Sequence, residues 1–171
     1  MILVLGARGS GKSLWAEQRA RKSKRRRYYI ATMKPYGPEG TKRINRHREQ
    51  RAKDHYTTLE KYGSLAGLKF SHSDLVLLED ISNYLANLIF ALGLDPVAAI
   101  EQAEQELSDL GKTGAELILV SLSCNVDQEY DTETNSFILA LTELNRRLSA
   151  LAKEVVLVND NVAHMLKKEQ L

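Results

Sequence analysis

The segment Gly6-Ala7-Arg8-Gly9-Ser10-Gly11-Lys12-Ser13 has the spacing G-x-x-x-x-G-K-[ST]. Each part answers a physical need. Glycines let the backbone turn tightly and aim its N–H groups inward at an anion. A helix starting at the loop adds a dipole that favours phosphate. Lys12 would reach the outer phosphates of a nucleoside triphosphate, and the Ser13 hydroxyl would ligate Mg2+. A glycine-rich turn with an incidental Lys-Ser would look the same, so the flanking elements decide. Here an apolar run at residues 2–5 precedes the loop and a helix-forming stretch follows it.

Phosphoryl transfer also calls for a carboxylate at the metal, commonly at the end of a neighbouring strand. Glu79 ends the apolar run Leu75-Val76-Leu77-Leu78 and is read as that group, because open α/β sheets bind ligands at the carboxyl ends of their strands. The plainer account, a solvated Glu79 beside a helix-capping Asp80, stays open. His47 stands among Arg43, Arg46, Arg48 and Arg51. Those guanidinium groups disfavour a protonated imidazole, which leaves a nitrogen free to attack, and they suit phosphates. Composition alone still reads His47 as a surface histidine on a solvated helix. His55, His72 and His164 have no such setting, and no pair shows metal-ligand spacing. The run Lys22, Lys24, Arg25, Arg26, Arg27 reads as cations at the end of the first helix rather than a nucleic-acid surface. The lone Cys124 has no partner for an internal disulfide and reads as a small buried hydrophobe near a strand end.

These residues need a scaffold, and the hydrophobic pattern supplies one. Short apolar strands are expected at residues 2–5, 28–31, 75–78, 116–122 and 155–158. Helices are expected at 13–22, 84–92, from Asp95-Pro96 to about residue 110, and at 134–151, the last with Leu139, Leu141, Leu144, Leu148 and Leu151 as its apolar stripe. Residues 111–114 should break the third of these. Residues 33–40 read as a loop, and 41–53 as a charged helix with little apolar face. Strands alternating with helices predict an α/β fold: a P-loop NTPase-like, mostly parallel sheet with helices on both faces. The 171 residues, 43% hydrophobic and 27% charged with net charge +2, fit one globular domain over residues 1–171 and exclude a disordered chain or a strongly basic polyanion binder. The N-terminus runs straight into a strand without a secretion leader, and the apolar stretch at 85–94 is too short for a bilayer, so a cytoplasmic protein without a membrane span is expected.

Taken in order, these motifs resemble the bifunctional adenosylcobinamide kinase / adenosylcobinamide-phosphate guanylyltransferase family of cobalamin biosynthesis, the CobU family. The resemblance rests on ILVLGARGSGKS at the start, Tyr29-Ile30-Ala31-Thr32, Arg43-Ile44-Asn45-Arg46-His47-Arg48 matching R-I-x-x-H-[RK], Leu77-Leu78-Glu79 followed by Asn87-Leu88-Ile89-Phe90-Ala91-Leu92-Gly93, and Leu144-Asn145-Arg146-Arg147-Leu148. It implies phosphorylation of adenosylcobinamide by a nucleoside triphosphate, ATP or GTP, with Mg2+. It further implies transfer of GMP from GTP to adenosylcobinamide phosphate through a GMP–histidine intermediate at His47. By position it implies nucleotide contacts from Thr32, Met33 and Lys34, from Gln50, Arg51, Ala52 and Lys53, and from Glu60 and Glu79, besides the loop. Family members assemble as homo-oligomers, often trimers. This chain departs from the family at Gly9, where arginine is usual, at Gln50-Arg51-Ala52 in place of G-R-P, and at residues 122–130 in place of an Asn-Glu-Val-Gly segment. The last change motivates an alternative: a nucleotide-binding paralogue, non-catalytic or partly active, that regulates corrinoid metabolism.

Overall fold

The computed structural model describes residues 1–35, 54–123 and 130–169. Seven strands form one sheet in the order β3-β2-β4-β5-β1-β6-β7. They are β1 (Ile2–Gly6), β2 (Arg26–Ala31), β3 (Tyr56–Glu60), β4 (Asp74–Glu79), β5 (Glu116–Leu122), β6 (Glu154–Asn159) and β7 (Val162–Lys168). All pairs are parallel except β6 with β7. The α-helices are α1 (Lys12–Arg21), α2 (Ile81–Ala86), α3 (Pro96–Lys112) and α4 (Thr132–Leu151), and a π-helical turn, Asn87–Ala91, continues α2.

The sheet buries apolar residues on both faces, as a parallel sheet must. On one face Ile2, Val4, Leu75, Leu77, Ile118 and Val120 meet Ala16 and Ala20 of α1, whose small side chains let the helix lie close. On the other, Leu3, Val76, Leu78, Leu117 and Leu119 pack under α2, α3 and α4. The expected class therefore holds, with helices on both faces.

Several local expectations are corrected. Strands β3 and β7 lack a continuous apolar run and were invisible to that criterion. The hairpin to β7 is made by Asp160 and Asn161 at φ 47° and 63°, left-handed values that these short polar side chains tolerate. The second helix starts at Ile81 rather than residue 84, because the Asp80 carboxylate accepts the Asn83 N–H at 2.7 Å. Helix α3 runs through Gly111 and ends where Gly114 turns left-handed at φ 82°. In α4 the inward line is Ile138, Leu141, Leu144, Asn145 and Leu148, while Leu139 and Leu151 are 60% and 47% exposed. Leu139 is one residue off that line, and 100° of helix turn carries it to solvent. The basic run straddles a helix end and a strand start. Arg26 already belongs to β2, paired with Asp74 at 2.9 Å, and Arg19 meets Glu116 at 3.2 Å.

One polar knot ties the segment after β3 to the helical layer. The Glu106 carboxylate accepts from the Ser64 hydroxyl (2.6 Å), the Leu65 N–H, the fully buried Tyr84 hydroxyl and the Gln102 amide (2.9 Å). Burial alone would raise its pKa, but those hydrogen bonds outweigh it and hold the carboxyl below its usual 4.5. A depressed folded-state pKa means stability that is present above the unfolded value and is lost as pH falls through the carboxylate range. Glu106→Gln should therefore lower stability at neutral pH and flatten its acid dependence, read by urea titration at about pH 7 and about pH 3. Equal losses at both pH values would show that this carboxylate's charge is not what matters.

Candidate nucleotide site at the carboxyl edge

Parallel pairing brings the ends of β1 to β6 to one edge. The registers Glu60↔Ala31 and Ala31↔Glu79 set Glu60, the end of β2 and Glu79 abreast. Glu79 in turn aligns with Val120, and Val120 with Val4, two residues before the loop. Strand β5 separates β4 from β1, so Glu79 and the loop stand on the order of 10 Å apart, two strand spacings. Glu79 shares the alternation of Leu75 and Leu77, which pack on α1, so its side chain emerges on the face where the loop meets α1.

The loop itself has the form that the spacing demands. Gly9 and Gly11 hold φ of 79° and 90°, and Ser10 N–H donates to the Ala7 carbonyl at 3.2 Å. Gly6 cannot carry a side chain, since a Cβ there would lie 2.3 Å from Ser10 Oγ and 2.6 Å from the Val158 carbonyl oxygen. Neighbouring chain braces the loop from two sides: Asn161 N–H donates to the Ser10 carbonyl at 2.9 Å and Ser123 N–H to the Gly6 carbonyl at 3.0 Å. Helices α2, α3 and α4 are each capped by an aspartate, at Asp80, Asp95 and Asp131. Helix α1 begins instead on left-handed Gly11 with no side-chain cap. No Ncap side chain therefore occupies the first N–H groups, and the first turn carries no carboxylate that would repel an anion. Lys12 folds back on the loop, its ammonium 3.3 Å from the Ala7 carbonyl. Ala7, Arg8 and Gly9 are exposed, while Ser10 is buried and Gly11, Lys12 and Ser13 are half-buried.

The remaining residues divide by what their side chains already do. Thr32 is fully buried, and its hydroxyl donates to the Asp80 carbonyl (2.8 Å) and accepts from the Asp80 N–H (2.9 Å). Its side chain therefore clamps the corner after β4, while Met33 and Lys34 continue along the edge, half-buried and exposed. The Glu79 carboxylate accepts from the Tyr29 hydroxyl at 2.8 Å, and Glu60 from the Tyr62 hydroxyl at 2.9 Å. Asp80 thus caps α2, as the plainer account of the 79–80 pair expects, while Glu79 is half-buried and hydrogen-bonded at the edge instead of simply solvated. His47, Gln50, Arg51, Ala52, Lys53 and Cys124 lie outside the described residues.

Two buried amides, quoted above only within the stretches that carry the resemblance, have a role that the sequence reading does not assign. Asn87, on the π-helical turn, donates to the Thr32 carbonyl at 2.8 Å, and Asn145 of α4 donates to the Leu122 carbonyl at 3.0 Å. Each anchors a strand end at the site. Their signal was an amide among apolar neighbours on a helix, visible only once the inward face was known. Among the described residues no group of three or more His, Cys, Asp and Glu could hold a metal, and no helix is long and apolar enough to cross a membrane. Ser13 and Glu79 offer a hydroxyl and one carboxylate, hard oxygens that suit Mg2+ when phosphates and water complete its octahedron.

Sheet order, braced glycine loop and uncapped first helix define a P-loop NTPase-like α/β protein. The chain spans 91% of its length, and 72% of the other chain, in similarity to the crystal structure of the RadB recombinase, with TM-score 0.52 and 16% identity, a likeness of fold alone. The chain belongs to the CobU family, described as cobinamide kinase / cobinamide phosphate guanyltransferase, whose model matches residues 2–166. It is 34% identical to the bifunctional adenosylcobalamin biosynthesis protein CobP of Pseudomonas aeruginosa, over 85% of this chain and 78% of that protein. It is 32% identical to the bifunctional adenosylcobalamin biosynthesis protein CobU of Salmonella typhimurium, over 98% of this chain and 99% of that protein.

Proposed function

We propose that this chain is the adenosylcobinamide kinase and adenosylcobinamide-phosphate guanylyltransferase of cobalamin biosynthesis. The observation that carries the reading is the open amino end of α1, with Gly11 left-handed, no capping side chain and Lys12 beside it. Backbone N–H groups of the loop hold the triphosphate, and Lys12 neutralises its outer oxygens. Ser13 and Glu79 would hold Mg2+, which would lower the charge barrier at the phosphates. A His47 nitrogen attacks the α-phosphorus of GTP, the bond to the bridging oxygen breaks, and pyrophosphate leaves. A phosphate oxygen of adenosylcobinamide phosphate then attacks that phosphorus, the N–P bond breaks, and the imidazole is released. In the kinase step the corrinoid hydroxyl gives up its proton to solvent as its oxygen attacks the γ-phosphorus of ATP or GTP, the bond from that phosphorus to the β–γ bridging oxygen breaks, and the nucleoside diphosphate departs. The arginines around His47 stabilise charge that develops on the transferring group.

GTP labelled at the α-phosphate tests the guanylyl half. Acid-labile, base-stable label on the protein is expected, and none on His47→Ala. Tight GTP binding without label would replace the enzyme by the nucleotide-binding paralogue. Label that survives in His47→Ala would move the nucleophile elsewhere.

A further inference from the structure

We propose that Tyr29 is a positioning residue for Glu79, holding one carboxylate oxygen so that the other faces the triphosphate and its metal. The inference rests on the reading above and adds a residue to it. Tyr29 is on β2 in register with Leu77, so it is the diagonal cross-strand neighbour of Glu79 on the same face. Its ring is 4% exposed and stands edge-on to Tyr56, with centroids 5.8 Å apart and planes at 79°. Packing thus fixes the ring, and the hydroxyl lies 2.8 Å from Glu79 Oε2. Thr32 restrains the same corner through the backbone of Asp80, from which a half-buried carboxylate with free torsions would otherwise swing. That double restraint matters because the donor set is thin. With one hydroxyl and one carboxylate among the described residues, the direction of the carboxylate lone pairs decides how well a metal–triphosphate seats.

Tyr29→Phe removes one oxygen and keeps the ring. The readouts are Mn2+ affinity of the protein with a non-hydrolysable GTP analogue, followed by the spin resonance of the free ion, analogue affinity in EDTA, and the melting temperature. Analogue affinity in EDTA should stay within about twofold, while Mn2+ affinity of the ternary complex falls about tenfold, the usual scale for losing a hydrogen bond behind a metal ligand. Glu79→Gln should fall at least as far, and Tyr29→Phe combined with Glu79→Gln no further than Glu79→Gln alone. A lower melting temperature with unchanged Mn2+ affinity overturns the positioning role, and so do additive losses in the double variant. A parent protein that takes up no Mn2+ with the analogue overturns the nucleotide reading and this extension together.

Discussion

Lys12→Ala should lower kinase turnover by about 10²–10³-fold, the scale for removing one fixed donor from developing phosphoryl charge, and leave the melting temperature nearly unchanged. The two halves of this expectation have separate causes. Without nucleotide the ammonium reaches a loop carbonyl at 3.3 Å from a half-buried position, a contact whose loss costs the fold little. With nucleotide the same ammonium would stand beside the outer phosphates, where charge grows in the transition state and few waters compete. Lys12→Arg should recover little, because a planar guanidinium cannot replace a compact ammonium inside a tight loop. Turnover with saturating nucleotide, measured beside a thermal melt, separates these effects. Activity within threefold of the parent would remove Lys12 from the chemistry; a collapsed melt would make it a residue of the fold.

A glycine series gives the second large effect. Gly6→Ala forces a Cβ to within 2.6 Å of the Val158 carbonyl, and a backbone atom in a paired strand cannot rotate away. The ends of β1 and β6 must separate, which should cost about 1–3 kcal/mol as overpacking and abolish triphosphate binding through the displaced loop. Gly9→Ala meets nothing within 4 Å and carries only the strain of φ 79°, about 1–2 kcal/mol. Gly6→Ala should therefore lose nucleotide affinity by far more than its stability change accounts for, and Gly9→Ala should not. Equal affinity losses in the two variants would mean that the strand walls do not shape the loop. Urea denaturation and a nucleotide titration on the same preparations decide it.

The glycine-rich loop and the central strands of this chain are legible in its residues, and its edge strands are not. The loop at residues 6–13 is contiguous, and a glycine-lysine-serine pattern after a strand carries its own geometry. Strands such as β4 and β5 announce themselves because both faces are buried and alternation disappears. Strand β3 does not, since Thr57 and Glu60 at the sheet's end are exposed and its apolar content is low. Strand β7 is exposed along nearly its whole length and exists because a left-handed Asp160-Asn161 turn folds it back onto β6. The stripe of α4 was misread at Leu139 and Leu151 for a related reason: leucines on both sides of a helix leave the inward face undecided until the sheet beneath it is known.

Local information determined where the glycine-rich loop lies, which strand precedes it, which carboxylate ends β4 and to which family the residues point. Tertiary structure alone decided that Thr32 faces inward to brace Asp80, that Asn87 and Asn145 hold strand ends, and that the Tyr29 hydroxyl stops on Glu79. A loop's propensity acts between residues a few positions apart, whereas Tyr29 and Glu79 are 50 positions apart and meet only because two strands pair in one particular register.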